Sequence, residues 1–287
     1  GMPALAITDH GNMYGAVNFF DACEKEGIKA IIGTEFYVCD DLTVKSGKTK
    51  LNHLVLLCKN EEGYKNISLL NAIAFRDGFY YKPRIDLKTL EAHHEGLICL
   101  SACLAGDIPQ AILNRDFEEA ERLVVWFKNL FGEDFYLEMQ NHFLEEQLEV
   151  NKYLRIYAQK YNIKLVVTND VHYLERSDAE SQDVLMCVQM GADYDDPKRL
   201  RFPNDEFYLK SYDEMASLFP NDPEALETTL EIADKCNFGF VYGHYMFPHY
   251  YPDTGEDPKT YIRNLIDNGI KKKYGKETPE IRERIES

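Results

Sequence analysis

Short apolar runs in this chain repeatedly end in residues that can bind a metal ion or transfer a proton. The clearest case follows the run Lys164–Val167, where the chain continues from Asn169 as Asn-Asp-Val-His-Tyr. In an extended segment residues i and i+2 face the same way, so Asp170 and His172 are expected to face one site. Together they would supply half of a metal site; the structural alternative is a buried histidine hydrogen-bonded to its neighbour.

Two earlier runs end in similar residues, and a third begins with one. The tetrapeptide Thr8-Asp9-His10-Gly11 places a carboxylate beside an imidazole, although Asp9 is equally well explained as a helix cap. An apolar run over residues 28–33 predicts a strand that ends at Glu35, where a bound cation would compensate for burial of the carboxylate. His53 stands before the run LVLLC, and taken alone it is interpreted as a structural residue at the rim.

Further polar residues lie where other runs end. Cys103 comes shortly after the run LICL and is either a metal ligand or a core thiol. Glu138, Gln140 and His142 alternate after another run, so all three are candidates to line the same opening and contact substrate. Arg84 is a candidate for a bidentate phosphate contact, with a surface salt bridge as the simpler explanation.

These run ends require a fold that brings them together. Apolar runs alternate with amphipathic segments such as residues 117–131 and 145–161, which predicts the strand and helix units of a (β/α) barrel. Barrel strands are buried on both faces and carry their chemistry at the carboxyl ends. Beyond residue 175 the pattern is helical. We therefore predict a barrel with helical insertions over residues 1–240, and a connector with the first helices of a further module over residues 241–287.

Composition limits the classes of function. The chain has 287 residues with 32 basic and 49 acidic side chains, a formal charge of −17 that would repel a nucleic-acid backbone over most of its surface. Divalent ions can reverse the potential inside a carboxylate-lined pocket, so a nucleic-acid enzyme is not excluded. No apolar stretch is long enough to span a bilayer and no signal peptide is recognisable, which predicts a cytoplasmic location and no membrane partner. The scattered cysteines are interpreted as reduced thiols.

The motifs TDHG, GTEFYV, NHLVLL, GFYYKPRID, SACLAG and NDVHY resemble the successive motifs of the PHP (polymerase and histidinol phosphatase) domain of bacterial DNA polymerase III alpha subunits. This resemblance implies a distorted seven-stranded (β/α) barrel, similar to a TIM barrel, with up to three divalent ions, zinc or manganese. It assigns metal binding to six positions: His10, Glu35, His53, Cys103, Asp170 and His172. On the same basis His142 becomes a candidate for substrate contact.

One motif of the family has no counterpart in this sequence. The family's first motif is a His-x-His pair followed by an acidic residue, and it lies upstream of the point that Gly1 resembles. The resemblance therefore implies an N-terminally truncated fragment without its first barrel strand. Incomplete metal occupancy and weak or absent turnover are the expected consequences.

The activity implied by the resemblance is metal-dependent phosphodiester hydrolysis, of the 3′ to 5′ proofreading exonuclease type. Asp9, His10 and Asp170 are the predicted catalytic residues, and Arg84 and His142 the predicted substrate contacts. DNA and replisome subunits such as the clamp or an exonuclease are the expected partners of the full-length polymerase, whose polymerase carboxylates lie outside this chain. The alternative is a non-catalytic platform that stabilises the polymerase and docks its exonuclease; a separate histidinol-phosphatase-like enzyme is a weaker third possibility.

Overall fold

The fold is described from a computed structural model that covers residues 2–47, 49–245 and 247–286. The chain divides into two units, one up to Phe240 and the other from Val241 onward. The roles predicted for the two segments stay predictions. Among the described residues, no helix is both long and apolar enough to cross a membrane.

The first unit begins with strands and helices that alternate along the chain. They are β1 (Ala4–Ile7), α1 (Ala16–Glu26), β2 (Lys29–Cys39), β3 (Asn52–Cys58), α2 (Glu61–Arg76), β4 (Arg84–Asp86), α3 (Leu87–Ala92), β5 (Leu97–Leu100), α4 (Asp107–Leu113), α5 (Phe117–Phe131), β6 (Phe135–Met139), α6 (Glu145–Tyr161) and β7 (Lys164–Val167).

Helices follow the last strand, as the sequence predicted. In the first unit they are α7 (Ala179–Met190), α8 (Tyr212–Leu218) and α9 (Pro223–Lys235). The second unit contains α10 (Pro258–Tyr274) and α11 (Pro279–Glu286).

The strands form one curled sheet in the order β1-β2-β3-β5-β6-β7, with β4 paired to the end of β2. All of these pairings are parallel except those of β3, which is antiparallel to both β2 and β5. The curl is evident because His10, after β1, lies beside His172, after β7, with ring centroids 5.7 Å apart. A mixed α/β sheet that brings its two edge strands together at one end confirms the predicted fold class of a distorted barrel with a helical extension.

The core explains why the central strands read as unbroken apolar runs. Every residue of β5 and β6 is buried, because one face points into the curled sheet and the other is covered by helices. Helix α5 packs against this layer through a stripe at helical spacing that includes Leu123, Val124 and Phe127. Burying each such side chain contributes about 1.5–3 kcal/mol.

The second strand is longer than the sequence predicted. The sequence predicted that this strand ends at Glu35, but β2 continues to Cys39 because residues 33–38 pair with β3 in a register that joins Tyr37 to His53. Glu35 therefore lies within a strand and not at its end. A carboxylate in the middle of a buried strand is a stronger sign of function than one at a rim, because a charge there needs a partner.

Candidate metal centre

Three of the predicted ligands meet at one end of the sheet. The ligand atoms of His10, Glu35 and His53 lie within 4.8 Å of one another. Glu35 lies between the two imidazoles: its Oε2 is 3.1 Å from His10 Nδ1, and its Oε1 is 2.6 Å from His53 Nδ1. These residues form a possible His-Glu-His metal site.

The backbone after β1 continues beside β2 and so positions His10. Gly11 N donates to Glu35 O at 2.8 Å, and Glu35 N donates to Asp9 O at 3.0 Å. Gly11 has a φ of 66°, and a methyl group on its Cα would lie 2.8 Å from Pro83 Cγ. Glycine is required here both for the left-handed conformation and for this close approach.

The direction of β3 explains why His53 reaches the cluster from the start of a strand. Because β3 runs antiparallel to β2 and β5, its first residues lie at the edge where the parallel strands end. His53 N donates to Ala105 O at 3.0 Å, which ties this end of β3 to the turn before α4. His53 thus lies at the rim, as the sequence suggested, and its imidazole also contacts Glu35 there.

Cys103 joins the cluster from the turn between β5 and α4. Its Sγ lies 3.5 Å from His53 Nδ1 and 3.9 Å from Glu35 Oε1. The turn requires Ala102 in the left-handed region at φ 62°, a conformation that costs a non-glycine residue about 1–2 kcal/mol. Gly106 closes the turn, with its N–H donating to Cys103 O at 2.9 Å. A strained turn that aims a thiol at two other ligands is typical of a functional site.

Asp170 and His172 enter from the segment after β7. They do not occupy an extended segment, since Asp170 has a φ of 45°, and His172 Nδ1 lies 2.7 Å from the backbone oxygen of Asp170. Both side chains still reach the pocket. The Asp170 carboxylate interacts electrostatically with Glu35, His10 and His53, and the His172 ring lies beside that of His10. The fold thus brings together all six residues to which the resemblance assigned metal binding.

The charges of the cluster compensate one another only in part. Burial alone would raise the pKa of Glu35, but hydrogen bonds from His10 and His53 outweigh it and hold the pKa at about 2. The same hydrogen bond raises the pKa of His10. Burial, together with the charge of Glu35, raises the pKa of Asp170. Burial likewise raises the pKa of the Cys103 thiol well above its usual value. The pocket therefore disfavours the ionised forms of Asp170 and Cys103, whereas the two imidazoles keep Glu35 ionised.

A divalent cation fits this pocket chemically. The donor set combines imidazole nitrogen, carboxylate oxygen and thiol sulfur, which together suit zinc, while the nitrogen and oxygen donors alone suit manganese. Repulsion between Asp170 and Glu35 is the charge arrangement that a cation would relieve. The residues that would hold it are His10, Glu35, His53, Cys103, Asp170 and His172.

Asp9 lies on the other side of the chain from His10. Its carboxylate is next to Gly15 at the start of α1, where a methyl group on the glycine would lie 3.2 Å from Asp9 Oδ2. Neighbouring residues of an extended segment face opposite ways, so His10 and Asp9 are not expected to enter one pocket. The carboxylate therefore lies near the start of α1, whose N-cap is Gly15, and the catalytic role of Asp9 stays a prediction.

Arg84 lies in the interior and not in the opening of the pocket. It is fully buried; its Nε donates to Gly78 O at 2.8 Å, and its Nη2 donates to Val44 O at 3.0 Å and to Leu42 O at 3.3 Å. The guanidinium therefore holds two loops to β4. This position does not favour the predicted phosphate contact, because the side chain is fully buried and its Nε and Nη2 already donate to backbone carbonyls; Nη1 is buried and has no partner in the described part of the chain.

His142 also lies behind the pocket. It is fully buried and stacked on Phe207 at 3.9 Å; its Nε2 lies 2.9 Å from Asn169 O, and its Nδ1 lies 2.8 Å from Gln147 Nε2. Burial lowers the pKa of His142 to about 4, so its ring is neutral at pH 7. The predicted substrate contact is not supported by this geometry. His142 instead fixes the backbone just before Asp170.

Two residues that the sequence did not single out flank the pocket. The Tyr37 ring lies 5.4 Å from that of His53 and 6.1 Å from that of His10, and Lys82 Nζ lies 5.3 Å from the Tyr37 ring. The signal for Tyr37 was available, because it lies two positions after Glu35 and so on the same face of β2. Lys82 gave no comparable signal, since its motif reads as a loop.

The structure is a mixed α/β domain. A pocket lined by imidazole, carboxylate and thiol groups, the side chains that bind metal ions in proteins, lies at the open end of its curled sheet. Residues 1–142 match the family described as PHP domain. The chain is 43% identical to DNA polymerase III subunit alpha of Borreliella burgdorferi, over 99% of this chain and 25% of that protein. It is 43% identical to the protein of the same name from Treponema pallidum, over 100% and 25% of the two chains.

A third relative, DNA polymerase III subunit alpha of Thermus aquaticus, is 40% identical over 95% of this chain and 23% of its own length. This chain belongs to the PHP domain family, in the form found in DNA polymerase III subunit alpha. The resemblance drawn from the motifs is thereby confirmed. The chain spans about a quarter of the length of the curated relatives that it matches.

Proposed function

We propose that the pocket binds divalent cations and hydrolyses phosphodiester bonds, with the 3′ end of a DNA strand as substrate. The observation that carries the proposal is the meeting of six side chains with metal-binding atoms, drawn from both edges and the centre of the sheet. Bound divalent cations would supply a nucleophile at neutral pH and stabilise charge on the phosphoryl oxygens. Zinc and manganese are the proposed ions.

The exposure of the donors supports an open, catalytic site. The side chain of His10 is 41% exposed and those of Asp170 and His172 are each 21% exposed, whereas Glu35 beneath them is 7% exposed. Structural zinc sites enclose the metal, while catalytic sites leave a position open for water or substrate. The bottom of the pocket is buried and its opposite side is accessible to solvent. A phosphodiester could therefore enter the pocket from that side.

Lys82 and Tyr37 are proposed as substrate contacts in place of Arg84 and His142. Lys82 is a cation close enough to the pocket for its charge to lower the pKa of His10. In a chain with a formal charge of −17 a local lysine is a specific point of attraction for a phosphate. The Tyr37 ring is 9% exposed and forms a wall between Lys82 and the two histidines.

The proposal extends to the setting in which the domain acts. The relatives are named as subunits of DNA polymerase III, so we propose DNA and other replisome subunits as partners and the cytoplasm as the location. The competing possibility, a platform that stabilises a polymerase and docks an exonuclease, would use the cations for folding only.

The test uses the 287-residue chain after chelation and reloading with zinc or manganese. Its substrate is a single-stranded oligonucleotide labelled at the 5′ end, so that removal of 3′ nucleotides gives a ladder. Asp170→Asn should reduce the rate at least about 100-fold, since changes even outside the ligand set cost 10–100-fold. The metal-free stability should not fall, because Asn removes a carboxylate that burial disfavours. Asp195→Asn, at an exposed acidic position, is the matched control.

A ladder that resists chelation or survives Asp170→Asn would disprove hydrolysis by this pocket. Cation binding without hydrolysis in the full-length polymerase as well as in this chain, accompanied by a loss of thermal stability on chelation, would instead support the platform role.

A further inference from the structure

A second polar layer lies beneath the predicted ligand cluster. It surrounds a small cavity of ≈ 10 Å³, measured for the centre of a water-sized sphere, whose lining includes Cys103, Glu138 and Gln140. This volume is about the minimum that holds one water molecule. The cavity thus joins a predicted ligand on one side to two buried polar residues of the β6 region on the other.

Two of the residues that line the cavity, Glu138 and Gln140, each carry a buried acceptor without a donor. Glu138 Oε1 accepts from Thr168 Oγ1 and, at 3.3 Å, from Gln140 Nε2. Glu138 Oε2 and Gln140 Oε1 are buried, and neither has a hydrogen-bond partner in the described part of the chain. The two residues are only 6% and 5% exposed. An unsatisfied buried polar atom costs about 1–3 kcal/mol, so two at one cavity require an explanation.

Glu138 is also an unusual residue for its position. Its neighbours on β6, Leu137 and Met139, are fully buried core residues on the other face of the strand, and Glu138 is itself only 6% exposed, which is rare for a carboxylate. Burial raises the pKa of Glu138 to about 7, and repulsion from Asp170 and Glu35 adds to the effect. A carboxylate here therefore destabilises the metal-free protein.

We infer that Glu138 is an inner carboxylate of the cation site, which raises the affinity for divalent cations by its charge without binding them directly. One water molecule in the cavity donates its two hydrogens to Glu138 Oε2 and Gln140 Oε1. The inference rests on the cation site of the proposed function, but not on hydrolysis. Its physical basis is that the cost of burying the charge is recovered only when positive charge occupies the pocket above it.

The inference makes two predictions of opposite sign for one substitution. Glu138→Gln keeps the shape and removes the charge, and its amide can donate toward Gln140 Oε1 where the carboxylate cannot. The melting temperature of the metal-free variant should therefore rise. Its affinity for zinc and manganese should fall about tenfold, at the lower end of the range for residues that support ligands from outside the coordination shell. A merely structural residue would lower both quantities.

The measurement is a competition titration with a chelating dye, for zinc and for manganese separately, together with thermal melts in excess chelator. Asp222→Asn is the matched control: this partly buried carboxylate is paired with Arg155 at 2.7 Å, far from the ligand cluster in sequence, at the start of α9. The control should lose thermal stability and keep its cation affinity. The readout is binding and stability, so it is independent of whether any oligonucleotide is hydrolysed.

Each outcome decides the matter. Equal cation affinity of the unsubstituted protein and Glu138→Gln, or a lower melting temperature of the metal-free variant, would overturn the inference alone. Failure of the unsubstituted protein to bind either cation would overturn it together with the proposed site. A crystal structure at high resolution should show one water molecule between Glu138 Oε2 and Gln140 Oε1. A cation in the cavity, or a collapsed cavity, would contradict the predicted position of this water molecule.

Discussion

The predicted ligand cluster and the predicted substrate pair, Arg84 and His142, both contain polar side chains, but in different surroundings. In the cluster, Glu35 is hydrogen-bonded by His10 and His53, and these polar groups contact one another. Arg84 and His142 bind backbone oxygens, those of Gly78 and Asn169 among them. The first arrangement can reorganise around a cation, because its partners are themselves ligands. The second cannot, since releasing the side chain would leave buried carbonyls unsatisfied.

Exposure separates the two regions in the same direction. His10 has 41% of its side chain exposed, whereas Arg84 and His142 are fully buried. Arg84 and His142 are buried and hold backbone carbonyls inside the fold, so they are part of the scaffold. The contrast therefore predicts that substitutions in the scaffold pair change the free energy of unfolding, while substitutions in the cluster change cation binding.

The largest effect is expected for Arg84→Met. The carbonyls of Gly78, Leu42 and Val44 would lose their donor inside the fold, which should lower the free energy of unfolding by about 3–5 kcal/mol. Urea denaturation followed by far-ultraviolet circular dichroism, with chelator present, measures this quantity. Arg122→Met is the control, because its exposed pair with Glu119 should contribute less than about 1 kcal/mol. Unchanged stability of the Arg84 variant together with weaker substrate binding would support the phosphate contact that was predicted from the sequence.

His142 should give a pH dependence of comparable size. Its pKa is about 4 in the folded chain against an ordinary value of 6.5, so between these values the unfolded chain binds a proton that the folded chain does not. Stability should therefore fall as the pH drops from 6.5 to 4, by up to about 3 kcal/mol from this group. Above pH 6.5 this contribution is constant.

The measurement compares the unsubstituted chain with His142→Gln by urea denaturation across this pH range. The variant should be less stable at pH 7.5, because it loses the stacking on Phe207, and the difference should shrink toward pH 4.5. A difference that stays constant with pH would show that the His142 imidazole is not held neutral by the fold.

The sequence predicted the features that depend on a local pattern of residues. It did not predict those that depend on the direction or the length of a strand. The buried runs of β5 and β6 were recognisable because both faces of those strands are covered. The extension of β2 past Glu35 depends on pairing with β3, a non-local contact that periodicity does not contain. The same pairing places His53 at the cluster. The burial of Arg84 was not predicted, because a charged residue in a polar motif gives no sign that it will be buried.

The smallest effect tests whether Cys103 belongs to the cluster or to the scaffold. Its Sγ lies 3.5 Å from His53 Nδ1, so it contacts a ligand, yet burial raises the pKa of its thiol as it would for a core residue. If sulfur is a donor, Cys103→Ser should lower zinc affinity about tenfold and leave manganese affinity nearly unchanged, because thiolate favours zinc and manganese prefers oxygen. Competition titrations with both metals measure the ratio. Cys99→Ser, at a fully buried site within β5, is the control and should change stability without changing that ratio. Equal losses of zinc and manganese affinity in the Cys103 variant would mean that the thiol positions His53 and does not bind the cation.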